Sequence, residues 1–280
     1  MRLSIKEQLI LRYFIENGHM STKFIEENFF CHFYSDRFLY KSIKKLKDEK
    51  FLKVSSSHLP EQHIAEKLLI PTKKAIDFFK KDDEFHMNNL SSEIDYLKNL
   101  NAKELKLTKD KINYGIIRKN LDIARIRFAF ELNGAKNFLT KNTGYYLFDS
   151  NDYLKPDFIY FLDGSDEFFF SYIFTSKYVD DYNKVKKTYK TILKKKGNCL
   201  GFNFILKDSI YNEFINDDWI EKNFKKNLTV TNYKDILNYD FNSLFFTDEE
   251  GTFETLEVDL KNLFGKPVKD YDLSELPFYN

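Results

Sequence analysis

The sequence predicts an α+β protein in which a small helical unit with a two-stranded hairpin precedes a larger α/β domain. Apolar residues recur at helical spacing through the first fifty residues, two short apolar runs then flank a polar loop, and strand-like runs alternate with helical ones from residue 112 onward. A chain of 280 residues, 42% of them hydrophobic, is long enough to bury two cores. The predicted domains are residues 1–81, a polar helical linker at 82–111, the α/β domain at 112–235 and an acidic C-terminal extension at 236–280.

The first helices are predicted from their capping residues. Ser4-Ile5-Lys6-Glu7 is a capping box, in which the Ser oxygen accepts an amide hydrogen of the first turn and the Glu carboxylate accepts the Ser amide hydrogen. An apolar stripe follows, and Asn17-Gly18 ends the helix. A second, short helix begins at Ser21 or Thr22, and a third begins at Ser35-Asp36.

The third helix is apolar on one side, because Leu39, Ile43 and Leu46 recur at helical spacing. Its outer faces carry Arg37, Tyr40, Lys41, Lys44, Lys45 and Lys47. A strand at residues 51–54, a loop and a return strand at 66–70 predict a hairpin, and Pro71-Thr72 opens a closing helix. Three helices, a hairpin and a closing helix in this order predict a winged helix-turn-helix.

The basic face of the third helix indicates double-stranded DNA as the partner. Exposed side chains of a recognition helix enter the major groove, where Lys and Arg bind phosphates and base edges. Arg37 and Lys41 are the expected base or phosphate contacts, and Tyr40 is placed to reach a phosphate or sugar. The alternative is a winged helix that contacts another protein. A homodimer, formed through residues 82–111, is also compatible with the sequence.

The net charge of +1 hides charges that are segregated along the chain. Residues 1–81 carry 16 Lys and Arg against 10 acidic residues, and residues 178–203 carry seven Lys against two Asp. Residues 235–280 carry three Lys against 11 acidic residues. Such segregation favours a charged partner surface, although any single cluster can also serve to solvate a helix face.

Cysteine usage and hydropathy indicate a cytoplasmic protein with no membrane partner. The two cysteines, Cys31 and Cys199, are far apart, and no Cys or His has metal-ligand spacing, so neither a disulfide framework nor a zinc site is predicted. No apolar run approaches the roughly 18 residues of a membrane span, and the N-terminus lacks a signal-peptide pattern.

The second half of the chain has the order helix, strand, hairpin, helix and strand, which is typical of an α/β core. The predicted elements are residues 121–132, 145–148, 158–162, 168–174, 179–195 and 201–206. The helix that begins near Val179 carries Lys186, Lys187 and Lys190 and is a candidate second DNA surface. The alternative is an amphipathic helix whose lysines are only solvated.

This order, together with Pro156-Asp157, Lys186 and Tyr189, resembles the plasmid replication-relaxation family of mobile-element proteins, which is similar to certain conjugative relaxases. The resemblance covers residues 4–207. It implies a winged helix joined to a degenerate restriction-endonuclease-like domain. It also implies a DNA-binding accessory or regulatory protein of a plasmid or mobile element, acting in replication, mobilisation or transcription control.

The nuclease core implied by the resemblance uses Pro-Asp followed by Glu-x-Lys across a hairpin, so that two carboxylates hold Mg²⁺ or Mn²⁺. Asp157 stands at the Asp position. Ser171 stands where the second acid is expected, and alignment on Lys177 instead puts Thr175 there. Because both alignments lose a carboxylate, we expect no catalysis and no cofactor. The alternative is a metal-dependent nicking relaxase or nuclease that uses Asp157, Lys177 and Glu131.

Overall fold

The computed structural model describes residues 3–27, 36–56, 67–81, 114–133, 136–140, 156–161, 168–174, 179–192, 199–223, 227–238, 240–249 and 252–263. These residues form helices and a mixed sheet, which confirms the α+β class. The chain divides into two compact units, and within the described ranges the division falls after Phe128. None of the helices in these ranges combines the length and apolarity that crossing a bilayer requires.

The first unit is helical, with one short hairpin. Its elements are α1 (Ile5–Asn17), α2 (Thr22–Ile25), α3 (Asp36–Asp48), β1 (Leu52–Val54), β2 (Leu69–Pro71), α4 (Lys73–Lys81) and the first turns of α5 (Tyr114–Leu132). The predicted capping box begins α1, since the Ser4 amide donates to Glu7 Oε2 at 2.8 Å. Gly18, with a φ of 82°, follows the last residue of α1. Lys50, with a φ of 63°, turns the chain from α3 into β1.

A third segment pairs with the hairpin. Met20 and Leu69 exchange two backbone hydrogen bonds, of 3.1 and 2.7 Å, so β2 lies between Met20 and β1. This bridge ties the α1–α2 connection to the hairpin. The sequence analysis did not predict it, because a single bridging residue leaves no periodic pattern.

A buried ion triad joins α1 to α5 inside the first unit. Glu16, fully buried, accepts hydrogen bonds from Arg12 at 2.8 Å and from Arg127. Arg127 is itself buried. The residues of α5 up to Phe128 therefore belong to the first unit, whereas the sequence predicted that residues 112–235 form the second domain.

The second unit is built on a seven-stranded mixed sheet with the strand order β3-β4-β5-β6-β7-β8-β9. Its elements are β3 (Lys136–Thr140), β4 (Phe158–Phe161), β5 (Phe168–Phe174), α6 (Val179–Ile192), β6 (Cys199–Leu206), α7 (Asp208–Ile215), α8 (Trp219–Asn223), β7 (Asn227–Asn232), α9 (Tyr233–Leu237), β8 (Asn242–Glu249), β9 (Thr252–Asp259) and a 3₁₀ helix (Leu260–Leu263). Strands β5, β6 and β7 are parallel, and the other neighbours are antiparallel. The predicted strand at residues 145–148 lies outside the described residues.

Aromatic residues pack on both faces of this sheet. On one face, Phe130 of α5 meets the rings of Phe158 and Tyr160 at 5.6 and 5.4 Å. On the other face, Tyr189 of α6 meets the ring of Phe204 at 6.3 Å. Strands β8 and β9 complete the sheet, although the sequence analysis placed their residues in an extension beyond the domain.

Candidate nucleic-acid interface

The basic side of α3 is exposed, and its apolar side is buried in the first unit. Leu39, Ile43 and Leu46 are each no more than 3% exposed. The exposed residues of the opposite side are Arg37, Tyr40, Lys41, Lys44 and Lys47. Tyr40, at 53% exposure, is among the most exposed large hydrophobic side chains of the described chain.

The four cations on this side of α3 are exposed to solvent. Among the described residues, no ion pair involves Arg37, Lys41, Lys44 or Lys47. Four positive charges therefore lie within 11 residues of one helix and face solvent. Such a surface is suited to the phosphate backbone, where each neutralised phosphate releases counterions and so contributes to binding.

Lys45 differs from Lys44 and Lys47 because it forms an ion pair within the unit. Its ammonium lies 2.8 Å from Glu7 Oε2, and the Glu7 side chain is only 10% exposed. Burial by itself raises the pKa of Glu7, but the hydrogen bonds from Lys45 and from the Ser4 amide outweigh it and hold the pKa below its usual value. Lys45 thus fixes α3 against α1, a role that the sequence analysis did not separate from DNA binding.

A second cation is used within the fold next to α3. Lys74 of α4 donates to the Glu49 carbonyl oxygen at 2.6 Å and lies 4.3 Å from the centre of the Phe51 ring. It therefore ties α4 to the end of α3. The hairpin residue Val54 is 42% exposed, and the loop that joins β1 to β2 lies outside the described residues.

The predicted second DNA surface on α6 is divided between two environments. Lys187 and Lys190 are exposed. Lys186 turns the other way, with its ammonium 2.5 Å from Asp217 Oδ2 and 4.2 Å from the centre of the Tyr182 ring. Lys187 and Lys190 remain candidates for binding a phosphate, whereas Lys186 is engaged within the second unit.

Asp157, the Asp of the predicted nuclease pattern, immediately precedes β4 and is bonded to the neighbouring strand β5. It is 3% exposed, and its carboxylate accepts the Ile173 amide hydrogen at 2.8 Å. Its own amide donates to the Ser171 carbonyl oxygen at 2.9 Å. The carboxylate thereby continues the β4–β5 ladder at the point where Pro156, which has no amide hydrogen, precedes the strand.

Two residues of β5 contact Asp157. They are Ser171, through its carbonyl oxygen, and Ile173, through its amide, while Ser171 itself pairs with Phe158 in the strand register. Lys177 and the side chain of Glu131 lie outside the described residues. In the described part of the chain, no three His, Cys, Asp or Glu side chains are grouped to hold a metal ion.

Buried polar residues cross the middle of the sheet on the same face as Ser171. They are Ser171, Asn203, Thr229, Thr231 and Ser243. Thr231 bonds Asn203 Oδ1 at 3.2 Å and the Ser243 hydroxyl at 2.8 Å. The sequence did not predict this row of polar residues. The feature that could have indicated it is the presence of polar residues within otherwise apolar strands.

The described geometry defines an α+β protein with a basic, mainly helical first unit and a second unit built on a seven-stranded mixed sheet. Comparison of the chain with protein-family models, with curated proteins and with solved structures gives no match. The resemblance to plasmid replication-relaxation proteins therefore stays a prediction.

Proposed function

We propose that this protein binds double-stranded DNA through α3. The observation that carries the proposal is the division of this helix. Its apolar side is buried, while Arg37, Lys41, Lys44 and Lys47 are exposed and have no ion-pair partner among the described residues. Tyr40 lies among these cations and offers a hydroxyl to a phosphate or sugar.

The order of elements in the first unit supports a winged helix. Two helices precede α3, the hairpin of β1 and β2 follows it, and Met20 forms an isolated bridge with β2 of that hairpin. In proteins of this class the exposed side of the third helix enters the major groove. The proposed contacts are thus Arg37 and Lys41 with bases or phosphates, and Lys44 and Lys47 with phosphates.

The second unit supports an accessory role in which DNA is bound and not cut. Strands β3, β4 and β5 run antiparallel, α6 follows, and β6 returns parallel to β5, an order compatible with a nuclease-like core. At the position implied for the metal ligands, however, the Asp157 carboxylate accepts the Ile173 amide hydrogen, and its amide donates to the Ser171 carbonyl oxygen. The role in plasmid or mobile-element replication, mobilisation or transcription control rests on the resemblance alone.

Salt-dependent binding of duplex DNA tests the proposal. Lys41→Glu and Lys44→Glu each place a negative charge on the exposed side of α3, so we expect weaker binding and a smaller dependence on salt, by about one phosphate contact. Lys234→Glu makes the same charge change on an exposed residue of α9 and is the matched control. Fluorescence anisotropy of a labelled duplex at several salt concentrations measures both quantities.

Two results of this experiment would overturn the proposal. Binding that responds neither to salt nor to the α3 substitutions would rule out this helix as the DNA-binding surface. A folded protein that binds no duplex would favour the alternative, a winged helix that contacts another protein.

A further inference from the structure

A groove in the second unit has the chemistry of a cation-binding site. It lies between α6 and the α7–α8 segment and is an open depression with a volume of about 620 Å³. Aromatic and acidic side chains line it, among them Tyr182, Trp219, Glu213 and Asp217. This volume is within the range of small-ligand sites, roughly 300–1,000 Å³.

An ammonium group already occupies one end of the groove. Lys186 Nζ lies 4.2 Å from the centre of the Tyr182 ring and 5.8 Å from the centre of the Trp219 ring. The same nitrogen lies 2.5 Å from Asp217 Oδ2. Two ring faces and a carboxylate are the groups that bind alkylammonium ions, because the negative face of each ring adds to the attraction of the carboxylate.

The remaining charges of the groove favour a further cation. Three carboxylates line it against the two ammonium groups of Lys186 and Lys222, so the lining carries one negative charge in excess. Asp218 is paired with Lys222 at 3.2 Å on the exposed rim, where such a pair contributes little. Glu213 has no ion-pair partner among the described residues. The same carboxylates would repel a phosphate, so the groove does not extend the proposed DNA surface.

We propose that this groove binds alkylammonium groups, from a free polyamine or from a lysine side chain of another protein. Lys186 is the resident occupant, and an incoming ammonium takes its place between Tyr182, Trp219 and Asp217. The displaced Lys186 then joins Lys187 and Lys190 as an exposed cation of α6. This site is separate from the proposed function, and its failure would leave the role of α3 unchanged.

Trp219 is the only tryptophan of the chain, so its fluorescence reports on this site alone. Spermidine and Nα-acetyl-lysine amide are titrated separately at constant ionic strength, with NaCl as the salt reference. Binding of spermidine alone would indicate a polyamine site, and comparable binding of both would indicate recognition of a lysine side chain. No change in Trp219 emission with either compound, in any variant, would overturn the proposal.

Two variants separate displacement from general electrostatics. Lys186→Met removes the resident ammonium group from the groove and keeps an apolar side chain. Lys190→Met removes the same charge from an exposed position one turn along α6. We expect Lys186→Met to bind about tenfold more tightly than Lys190→Met, because the carboxylate and the rings become free. Adding Asp217→Asn to Lys186→Met abolishes this gain. Equal affinities for the two single variants would overturn the displacement.

The unsubstituted protein provides an independent measurement if Lys186→Met does not fold. The ε-methylene protons of Lys186 lie near the Tyr182 ring, so ring currents shift their NMR signals away from those of exposed lysines. Saturating spermidine moves these signals to the position of the exposed lysines if Lys186 is displaced. Signals that stay in place would overturn the proposal.

Discussion

Glu7 of α1 holds Lys45 of α3 through an ion pair of 2.8 Å, and the same Glu7 oxygen accepts the Ser4 amide hydrogen at 2.8 Å. One carboxylate therefore caps α1 and fixes the helix that carries the exposed cations. Lys44, the residue before Lys45 in the chain, is exposed and has no ion-pair partner in the described ranges. Two neighbouring lysines thus have different tasks, and this difference is measurable.

We expect Lys44→Gln to affect DNA binding and Lys45→Gln to affect stability. Lys44→Gln weakens DNA binding and reduces its salt dependence by about one phosphate contact, while stability stays within about 0.5 kcal/mol. Lys45→Gln leaves the salt dependence nearly unchanged but lowers the free energy of unfolding by up to about 1 kcal/mol. Anisotropy titrations and urea unfolding measure the two effects. Equal losses of DNA affinity would show that Lys45 is released from Glu7 on binding.

We expect Glu7 to stabilise the fold through both of its contacts. Glu7→Ala removes the cap acceptor and the ion pair, and we expect a loss of about 1 kcal/mol in the free energy of unfolding. Glu7→Gln keeps an oxygen for the Ser4 amide hydrogen and costs less. Because the pKa of Glu7 is lowered in the folded state, its contribution is present above the unfolded pKa and is lost as the pH falls through the folded pKa. Identical losses of unfolding free energy in both variants at neutral pH would contradict a stabilising role for the hydrogen bond from the Ser4 amide to Glu7.

Breaking the buried triad of Glu16, Arg12 and Arg127 is expected to lower the free energy of unfolding more than the loss of Glu7 does. Arg127→Met removes one of two guanidinium groups from a fully buried carboxylate, and we expect a loss of about 3–5 kcal/mol. Arg125→Met is the matched control, since Arg125 lies two residues earlier on α5 and is 40% exposed, with a 3.9 Å contact to Asp122 and its guanidinium 5.1 Å from the centre of the Phe24 ring. Urea unfolding followed by circular dichroism measures both. Equal effects would mean that the triad is not a strong constraint.

The pH dependence of the triad follows from the lowered pKa of Glu16. Burial by itself raises this pKa, but Arg12 and Arg127 outweigh it and hold the pKa below 4.5, the reference value of the group. A carboxyl group with a lowered folded-state pKa stabilises the protein above its unfolded pKa, and this stability is lost as the pH falls through the folded pKa. We therefore expect the difference between native protein and Glu16→Gln to shrink during acid titration. A difference that is constant between pH 7 and pH 3 would contradict this assignment.

The sequence could predict α3 and could not predict the partners of its lysines. The spacing of Leu39, Ile43 and Leu46 determines which side of the helix is buried, because this periodicity is local. The pair of Lys45 with Glu7 spans 38 residues, and that of Arg127 with Glu16 spans 111. Such contacts depend on how the elements pack, so a charged residue on a helical pattern looks the same whether it binds phosphate or a buried carboxylate.

The sheet of the second unit also has features that the sequence could not predict. The apolar run from Phe168 predicts a strand, but the residues of β8 and β9 indicated an acidic extension because they include acidic residues and no Lys or Arg. Exposed strands of an antiparallel pair tolerate such residues on the solvent side, so net charge is a poor guide to where a sheet ends. The pairing of Asp157 with Ile173 is likewise a consequence of register, which no local pattern reveals.

Asp157 is expected to act as an acceptor for the backbone and not as a catalytic group. Asp157→Ala leaves the buried Ile173 amide hydrogen without its acceptor, and such a group costs about 1–3 kcal/mol. Asp157→Asn keeps a side-chain oxygen at this position and costs less. Urea unfolding distinguishes the two variants, and nicking of supercoiled DNA with Mg²⁺ or Mn²⁺ tests the alternative. Nicking that Asp157→Asn abolishes, without loss of stability, would restore the nuclease hypothesis.

Gly201 is expected to be required by the parallel pairing of β6 with β7. A Cβ atom at this position would lie 2.4 Å from the Asn227 carbonyl oxygen, a distance that the backbone must open to accommodate. We expect Gly201→Ala to lower the free energy of unfolding by about 1–3 kcal/mol, the usual cost of overpacking. Gly115→Ala is the matched control, because Gly115 is exposed in the first turn of α5, where alanine favours the helix by up to about 1 kcal/mol. Thermal unfolding should therefore give shifts of opposite sign for the two variants, and a stabilised Gly201→Ala protein would contradict this strand pairing.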